Sequence, residues 1–257
     1  MNDLTVVIPS YGRADSLPGA DYFDFAKYVV PESQADDYER AVGGDRLITL
    51  PDSEDGSIVK KRNWIMRNLP RPLMMLDDDV KRITYTEFDF DEDGTPINNG
   101  YRTYPQEEVE DLFIKCTNLC YQFGSKMWGV NQNTDPMNYK PYRPFSLTNP
   151  VLGPLQGHLD HDLLFDQRVG TKDDYDMSLQ QIHTFGKVLR FNKFAYDCRH
   201  GDNSGGIVSQ RHMQKEITYC EAIMNKWGKD VIEYELPPEK MSDLLNAKKV
   251  NVPIGNV

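Results

Sequence analysis

A chain of 257 residues, 39% apolar and 27% charged, is long enough to bury a sizeable core and has the composition of an ordinary globular protein. Its formal charge of −11 excludes non-specific nucleic-acid binding through the whole surface, leaves room for a local basic groove, and suits a site that collects divalent cations. The longest apolar runs are strand-sized and the N-terminus lacks the basic segment and apolar core of a signal peptide, so a soluble cytoplasmic protein is expected, with no membrane and no obligate protein partner.

In chain order, Leu4-Thr5-Val6-Val7-Ile8 is a β-branched run closed by Pro9 and followed by the turn Ser10-Tyr11-Gly12-Arg13, which predicts a buried strand. Tyr28-Val29-Val30 ends at Pro31 in the same way and leads into a polar helix over residues 34–41. Residues 46–50 form a third strand, stopped by Pro51, and residues 57–66 carry apolar positions suited to a helix lying on a sheet. A fourth strand, Leu73-Met74-Met75-Leu76, runs directly into Asp77-Asp78-Asp79. Strands alternating with helices indicate βαβ units, in which ligands bind beyond the carboxyl ends of the strands. Residues 88–103, acidic and containing glycine, read as a mobile loop, and residues 107–123 as a helix. Residues 128–155, rich in Asn, Pro and aromatics, have little periodicity and suggest a long functional loop. Helices are expected at 175–185 and 209–227, with a strand at 188–191, and little core-forming pattern follows Pro237. Cys116 and Cys120 are four apart, one helical face, and with Cys198 and Cys220 are expected to be buried, reduced thiols.

The strongest chemical feature is the Asp77–Asp79 run. Adjacent carboxylates repel, and placing them at the end of an apolar strand costs free energy unless a cation compensates. Strand alternation would put Asp77 and Asp79 on one side and Asp78 on the other. Two convergent carboxylates beside a phosphate suit Mg²⁺ or Mn²⁺, while a solvated acidic turn is the plain alternative. The second feature is Lys172-Asp173-Asp174-Tyr175-Asp176 at a helix start, where the carboxylates either cap the helix or supply a general base. The third is the polar loop Asp197-Cys198-Arg199-His200 with Gly205-Gly206 beyond, in which His200 could offer a nitrogen ligand.

The ordered set Val7-Ile8-Pro9-Ser10-Tyr11-Gly12-Arg13, Gly56 through Arg62-Asn63, Leu76-Asp77-Asp78-Asp79, Lys172-Asp173-Asp174 and His200 resembles the GT-A superfamily of glycosyltransferases. More narrowly, Trp128-Gly129-Val130-Asn131, Pro144-Phe145-Ser146-Leu147, Leu152-Gly153-Pro154, the stretch from Lys172 to Gln180 and Val188-Leu189-Arg190-Phe191-Asn192-Lys193 resemble the phage-type, TET-associated glycosyltransferases. That resemblance implies an α/β, Rossmann-like, mostly parallel sheet flanked by helices, with an acceptor-binding C-terminal part. One domain would span residues 1–235, with a nucleotide-sugar half at 1–86, an acceptor and catalytic half at 104–235, and a tail at 236–257.

The same resemblance implies roles. Pro9, Ser10, Tyr11 and Arg13 would contact the base and ribose of a nucleotide sugar, UDP-linked, with Arg62 near the diphosphate or sugar and Asp77 and Asp78 also in the donor site. Asp77, Asp79 and His200 would hold Mn²⁺ or Mg²⁺. Asp174 would take the proton of the acceptor hydroxyl, with Asp173 the nearest substitute. The acceptor would be a 5-hydroxymethyl-pyrimidine in DNA, in the host cytoplasm if the chain is phage-encoded. Trp128, Tyr139, Tyr142 and Phe145 could stack on a flipped base or a sugar, or pack in the core. Arg211, within a basic segment from Lys187 to Lys215, would track phosphates. A polysaccharide or protein acceptor, a nucleotidyltransferase and a non-catalytic nucleotide-sugar-binding module are the alternatives. The turn after the first strand lacks the Gly-rich basic loop of the second of these.

Overall fold

The computed structural model describes residues 4–132, 139–198 and 213–252. Strands β1 (Thr5–Pro9), β2 (Lys27–Pro31), β3 (Leu47–Leu50) and β4 (Leu73–Leu76) come first, with helix α1 (Ala35–Val42) between β2 and β3 and α2 (Ile58–Asn68) between β3 and β4. They pair in parallel in the order β3-β2-β1-β4. Every residue of β4, and all of β1 after Thr5, is buried. Helices on both faces account for that, since a strand covered twice must be apolar throughout rather than alternating.

The second half completes a mixed sheet. It contains β5 (Val80–Phe90), β6 (Pro96–Thr103), α3 (Val109–Gln122), β7 (Met127–Asn131), β8 (Phe145–Ser146), β9 (Leu155–His158), α4 (Asp173–Phe185), β10 (Leu189–Cys198), α5 (Met213–Trp227), β11 (Ile232–Glu233) and β12 (Lys249–Val250). Among the described residues the sheet order is β3-β2-β1-β4-β9-β7-β10-β5-β6, with β8 on β10. Strand β9 runs antiparallel to both its neighbours, and β7 and β10 are parallel. The result is an α/β fold with parallel central strands flanked by helices, consistent with the GT-A type.

Period-two alternation sorts the core into two layers. Val6, Ile8, Met74 and Leu76 face α3, meeting Phe113, Cys116 and Cys120. Val7, Leu73 and Met75 face α2 and α4, meeting Val59, Ile65, Met66, Met177 and Ile182. A third cluster joins the outer side of α4 to α5 and to Ile232, Tyr234 and Leu244. The segment after Pro237 is therefore packed: Leu244 is fully buried and Val252 touches two clusters. All four cysteines are free thiols, three of them buried. No helix among the described residues is long and apolar enough to cross a membrane.

Three segments differ from the sequence expectation. Residues 88–103 are not a loop but most of an antiparallel hairpin, with Thr86 opposite Tyr101 and Asp89 opposite Ile97. The outer half of that hairpin is solvent-exposed on both faces, so no apolar alternation marks it. Residues 127–131 form a central strand inside what reads as loop. Within it, Trp128 is fully buried rather than available to an acceptor, its indole Nε1 donating to Thr117 Oγ1 at 3.1 Å. Gly157 on β9 makes room for that indole, since a Cβ there would lie 2.2 Å from Trp128 Nε1. That glycine and the adjacent His158 disguise β9 as a polar turn.

His158 and His161 form a buried pair at the end of β9, with Nδ1 of the first 3.1 Å from Nε2 of the second. Leu163 N–H donates to His161 Nδ1 at 3.2 Å, and the Gln181 side-chain amide lies 2.8 Å from its Nε2. Burial first, then Arg71 and Lys126, lowers His161 to about 4, and burial lowers His158 well below its ordinary range. The unfolded chain takes up protons near pH 6.5 and the fold does not, so this contribution to stability is complete above about pH 6.5 and lost as pH falls toward 4. Urea unfolding of His161→Gln is expected to lose about 2 kcal/mol less than the native chain between about pH 7 and about pH 5. Equal losses in the two proteins would contradict neutral burial of this imidazole.

Candidate active site

The carboxyl ends of β1 and β4 meet the start of α4, and buried charge joins them. Strand β1 stops at Pro9, and the turn that follows is tied down from three directions. Ser10 Oγ lies 2.6 Å from Tyr38 Oη, Arg13 N–H donates to the same oxygen at 3.1 Å, and Gly12 N–H, at φ +64°, donates to Gln34 Oε1 at 2.8 Å. These bonds leave the ring of Tyr11 half exposed at the mouth of the cleft.

Helix α2 starts at a serine cap, Ser57 Oγ accepting from Lys60 N–H at 3.1 Å, and thereby turns Lys61 and Arg62 toward the sheet. Both are almost fully buried. The Lys61 ammonium donates to the Ser10 carbonyl, pairs with Asp55 at 3.3 Å and lies 5.6 Å from the Tyr11 ring centroid. Arg62 reaches Asp77 Oδ1 at 2.6 Å with one nitrogen and Asp173 Oδ2 at 2.5 Å with the other. Asn63 clasps the backbone of Phe165 in both directions at 2.8 Å, fixing the loop that leads to α4.

Beyond Leu76 the chain makes a tight turn, Val80 N–H donating to Asp77 O at 3.2 Å. This turn, rather than continued strand alternation, separates the three carboxylates. Asp77 faces Arg62, while Asp78 turns to β1, where Ser10 Oγ and Arg13 both donate to it. Asp79 is pushed up to about 7, first by burial and then by Asp77 and Asp78. Burial likewise raises Asp78 against the pull of Arg13.

At α4, Asp173 is pushed up to about 6 by burial, opposed by Arg62 and reinforced by Asp174. Asp174 is raised by burial and held by two backbone donors, Gly153 N–H at 2.8 Å to one oxygen and Tyr175 N–H at 2.7 Å to the other. Gly153 has φ +79°, and a Cβ there would meet the Tyr196 hydroxyl at 2.2 Å, so only glycine presents its amide here. Pro154 next to it accepts from Asp77 N–H at 2.9 Å. One loop thus touches both acidic motifs.

Pro9, Ser10, Tyr11, Arg13, Arg62, Asp77, Asp78, Asp79, Asp173 and Asp174 therefore gather at the carboxyl ends of β1 and β4 and the start of α4, where open α/β sheets form their ligand cleft. His200 and Arg211 lie outside the described residues. Tyr139 is buried against Phe88, and Phe145 packs on Phe123 at 4.8 Å, whereas Tyr142 stands open to solvent. Of the basic segment, Lys187 donates to the Phe123 carbonyl, Arg190 to Asn192 Oδ1, Lys193 lies over Tyr85 and Lys215 over Tyr219. Sequence reasoning assigned no role to Lys61 or Gly153. Lys61 sits inside the motif that carries Arg62, but its turn-holding contact spans 51 residues, and Gly153 is marked only by its place in the Leu152-Gly153-Pro154 motif.

Among the described residues no three His, Cys, Asp or Glu side chains form a metal-binding group. Two carboxylates suffice for Mg²⁺ or Mn²⁺ when water and phosphate oxygens complete the shell. Asp79, raised by burial and then by Asp77 and Asp78, and the partly exposed Asp77, one oxygen of which is held by Arg62, are the two carboxylates that would have to supply it.

Removing Arg62 would leave Asp173 buried beside Asp77 without a cation. Arg62→Met is expected to cost about 3–5 kcal/mol in urea unfolding, and adding Asp173→Asn to recover a large part of it. Additive losses in the double variant would show that the pair is not coupled.

No curated protein and no solved structure matched the chain. The sequence profile of one family, described as TET-Associated Glycosyltransferase, matches residues 4–225. That span takes in β1 through most of α5, including the Arg62 bridge and both acidic motifs, and the chain belongs to the TET-associated glycosyltransferase family.

Proposed function

We propose that the chain transfers a sugar from a nucleotide sugar, UDP-linked, to the hydroxymethyl oxygen of a 5-hydroxymethyl-pyrimidine in phage DNA, within the host cytoplasm. The observation that carries the reading is the Arg62 bridge, which sets the Asp77–Asp79 turn against the acidic start of α4 across a cleft bounded by the β1 turn. Tyr11 offers a ring for the base, and Ser10, Arg13 and Asp78 form a polar wall below it. Pro9 ends β1 at that wall.

Asp77 and Asp79, with His200, would hold Mn²⁺ or Mg²⁺, which when bound offsets the charge that builds on the departing diphosphate. Arg62 contributes a fixed positive charge next to the same region, already oriented by its two carboxylates. Asp173 is committed to Arg62 through one oxygen. Among the described residues Asp174 has no ion-pair partner, and each of its oxygens keeps a lone pair beyond the one used by a backbone N–H. Its raised affinity for a proton suits a base that accepts one from the attacking hydroxyl. On the acceptor side, the exposed Tyr142 supports stacking on a nucleobase, and Arg211 would track phosphates.

Asp174→Asn is expected to reduce turnover by about 10²–10⁴-fold while the affinity for the nucleotide sugar stays unchanged. The comparison requires single-turnover kinetics beside calorimetric donor binding. Turnover at the native rate would remove Asp174 from the role and pass it to Asp173.

A further inference from the structure

Lys172, the residue ahead of the two acidic side chains, points away from the cleft. Its ammonium is buried, pairs with the equally buried Glu216 on α5 at 3.0 Å, and donates to the Leu244 carbonyl at 2.5 Å. Thr171 Oγ1 donates to the same Glu216 oxygen at 2.7 Å, and the Tyr234 ring closes over the ammonium at 5.4 Å. Further along the helix, buried Asp176 accepts from Trp227 Nε1 at 2.8 Å and pairs with Lys226 at 2.8 Å. Ala247 N–H donates to the Tyr175 hydroxyl at 3.2 Å. The first turn of α4 is thus gripped on its outer side by α5 and the residues after it, and meets Arg62 and Gly153 on its inner side. Lys226, Trp227, Leu244 and Ala247 all lie beyond the family match, which stops at residue 225.

A buried ammonium–carboxylate pair gains little over well-packed apolar side chains, because desolvating two charges offsets their attraction. What the pair adds is direction: an ammonium with three partners fixes where the backbone of residue 172 sits. We propose that Lys172 and Glu216, completed by the Leu244 carbonyl, are positioning residues that hold Asp173 and Asp174 at the cleft, so that the C-terminal segment serves the active site. This rests on the reading of those carboxylates given above.

The test uses the full chain with Lys172→Met and Glu216→Leu combined, which removes both charges at similar volume. The amides of Gly153 and Tyr175 donate to Asp174, so their hydrogen exchange reports the position of that carboxylate without any need for turnover. The expected result is a cooperatively folded variant in which those two amides exchange about tenfold faster or more and those of β1 and β4 do not change. Turnover should fall about 10-fold or more with UDP affinity retained. Native exchange at Gly153 and Tyr175, or acceleration spread equally over β1 and β4, would overturn the proposal. If the double variant does not fold, Glu216→Gln, which keeps shape and one acceptor oxygen, is read by the same exchange pattern. A native chain that transfers no sugar would sink the functional reading, and the exchange result would still decide the positioning role.

Discussion

Arg62 is the residue on which this architecture turns. A guanidinium buried between two carboxylates is stable only when its partners are placed for it, and those partners come from the end of β4 and the start of α4. The sheet sets one, and the helix packed against it sets the other. Asn63, next in sequence, secures the intervening loop through Phe165. Everything else in the cleft is arranged about that link. Asp78 is free to brace the β1 turn because Asp77 takes Arg62, and Asp79 remains beside them with its proton affinity raised.

The electrostatics follow from keeping so much like charge in one place. Asp77, Asp78, Asp79, Asp173 and Asp174 surround the cleft, and among the described residues the cations paired with them are Arg13 and Arg62, with Lys61 behind the turn. Burial raises Asp78, Asp79, Asp173 and Asp174, so each of these carboxyl groups holds a proton more readily than a free one. The cleft's outer support comes from ion pairs on the far side of α4, where α5 and the C-terminal segment close a third core cluster.

Much of this was legible from residues alone, for a physical reason. Strands β1 and β4 are covered on both faces, so each is a continuous apolar run, and the abrupt change from Leu76 to Asp77 announces a strand end with a charged function. The site residues before Leu155 and those of α4 fall at such boundaries. Elements without that contrast escaped. Strand β9 is interrupted by Gly157, which exists to admit the Trp128 indole, and by His158, which is buried neutral. The outer hairpin of β5 and β6 is polar on both faces and is specified by its ladder alone. Trp128 shows the converse limit, since an aromatic residue in a polar stretch reads equally as a stacking platform or as core, and only its bond to Thr117 decides. Long-range partners such as Lys61 with Ser10, or Lys172 with Glu216, leave no periodic trace at all.

The proposed transfer reaction can be followed by incubating the native chain with UDP-sugars, Mn²⁺ or Mg²⁺ and DNA that contains 5-hydroxymethylcytosine. The expected result is metal-dependent nucleotide release stimulated by that DNA, with the mass of one sugar added to the modified base. Release indifferent to the DNA would move the acceptor to a polysaccharide or protein, and binding of donors without any release would contradict the enzymatic reading in favour of a nucleotide-sugar-binding module.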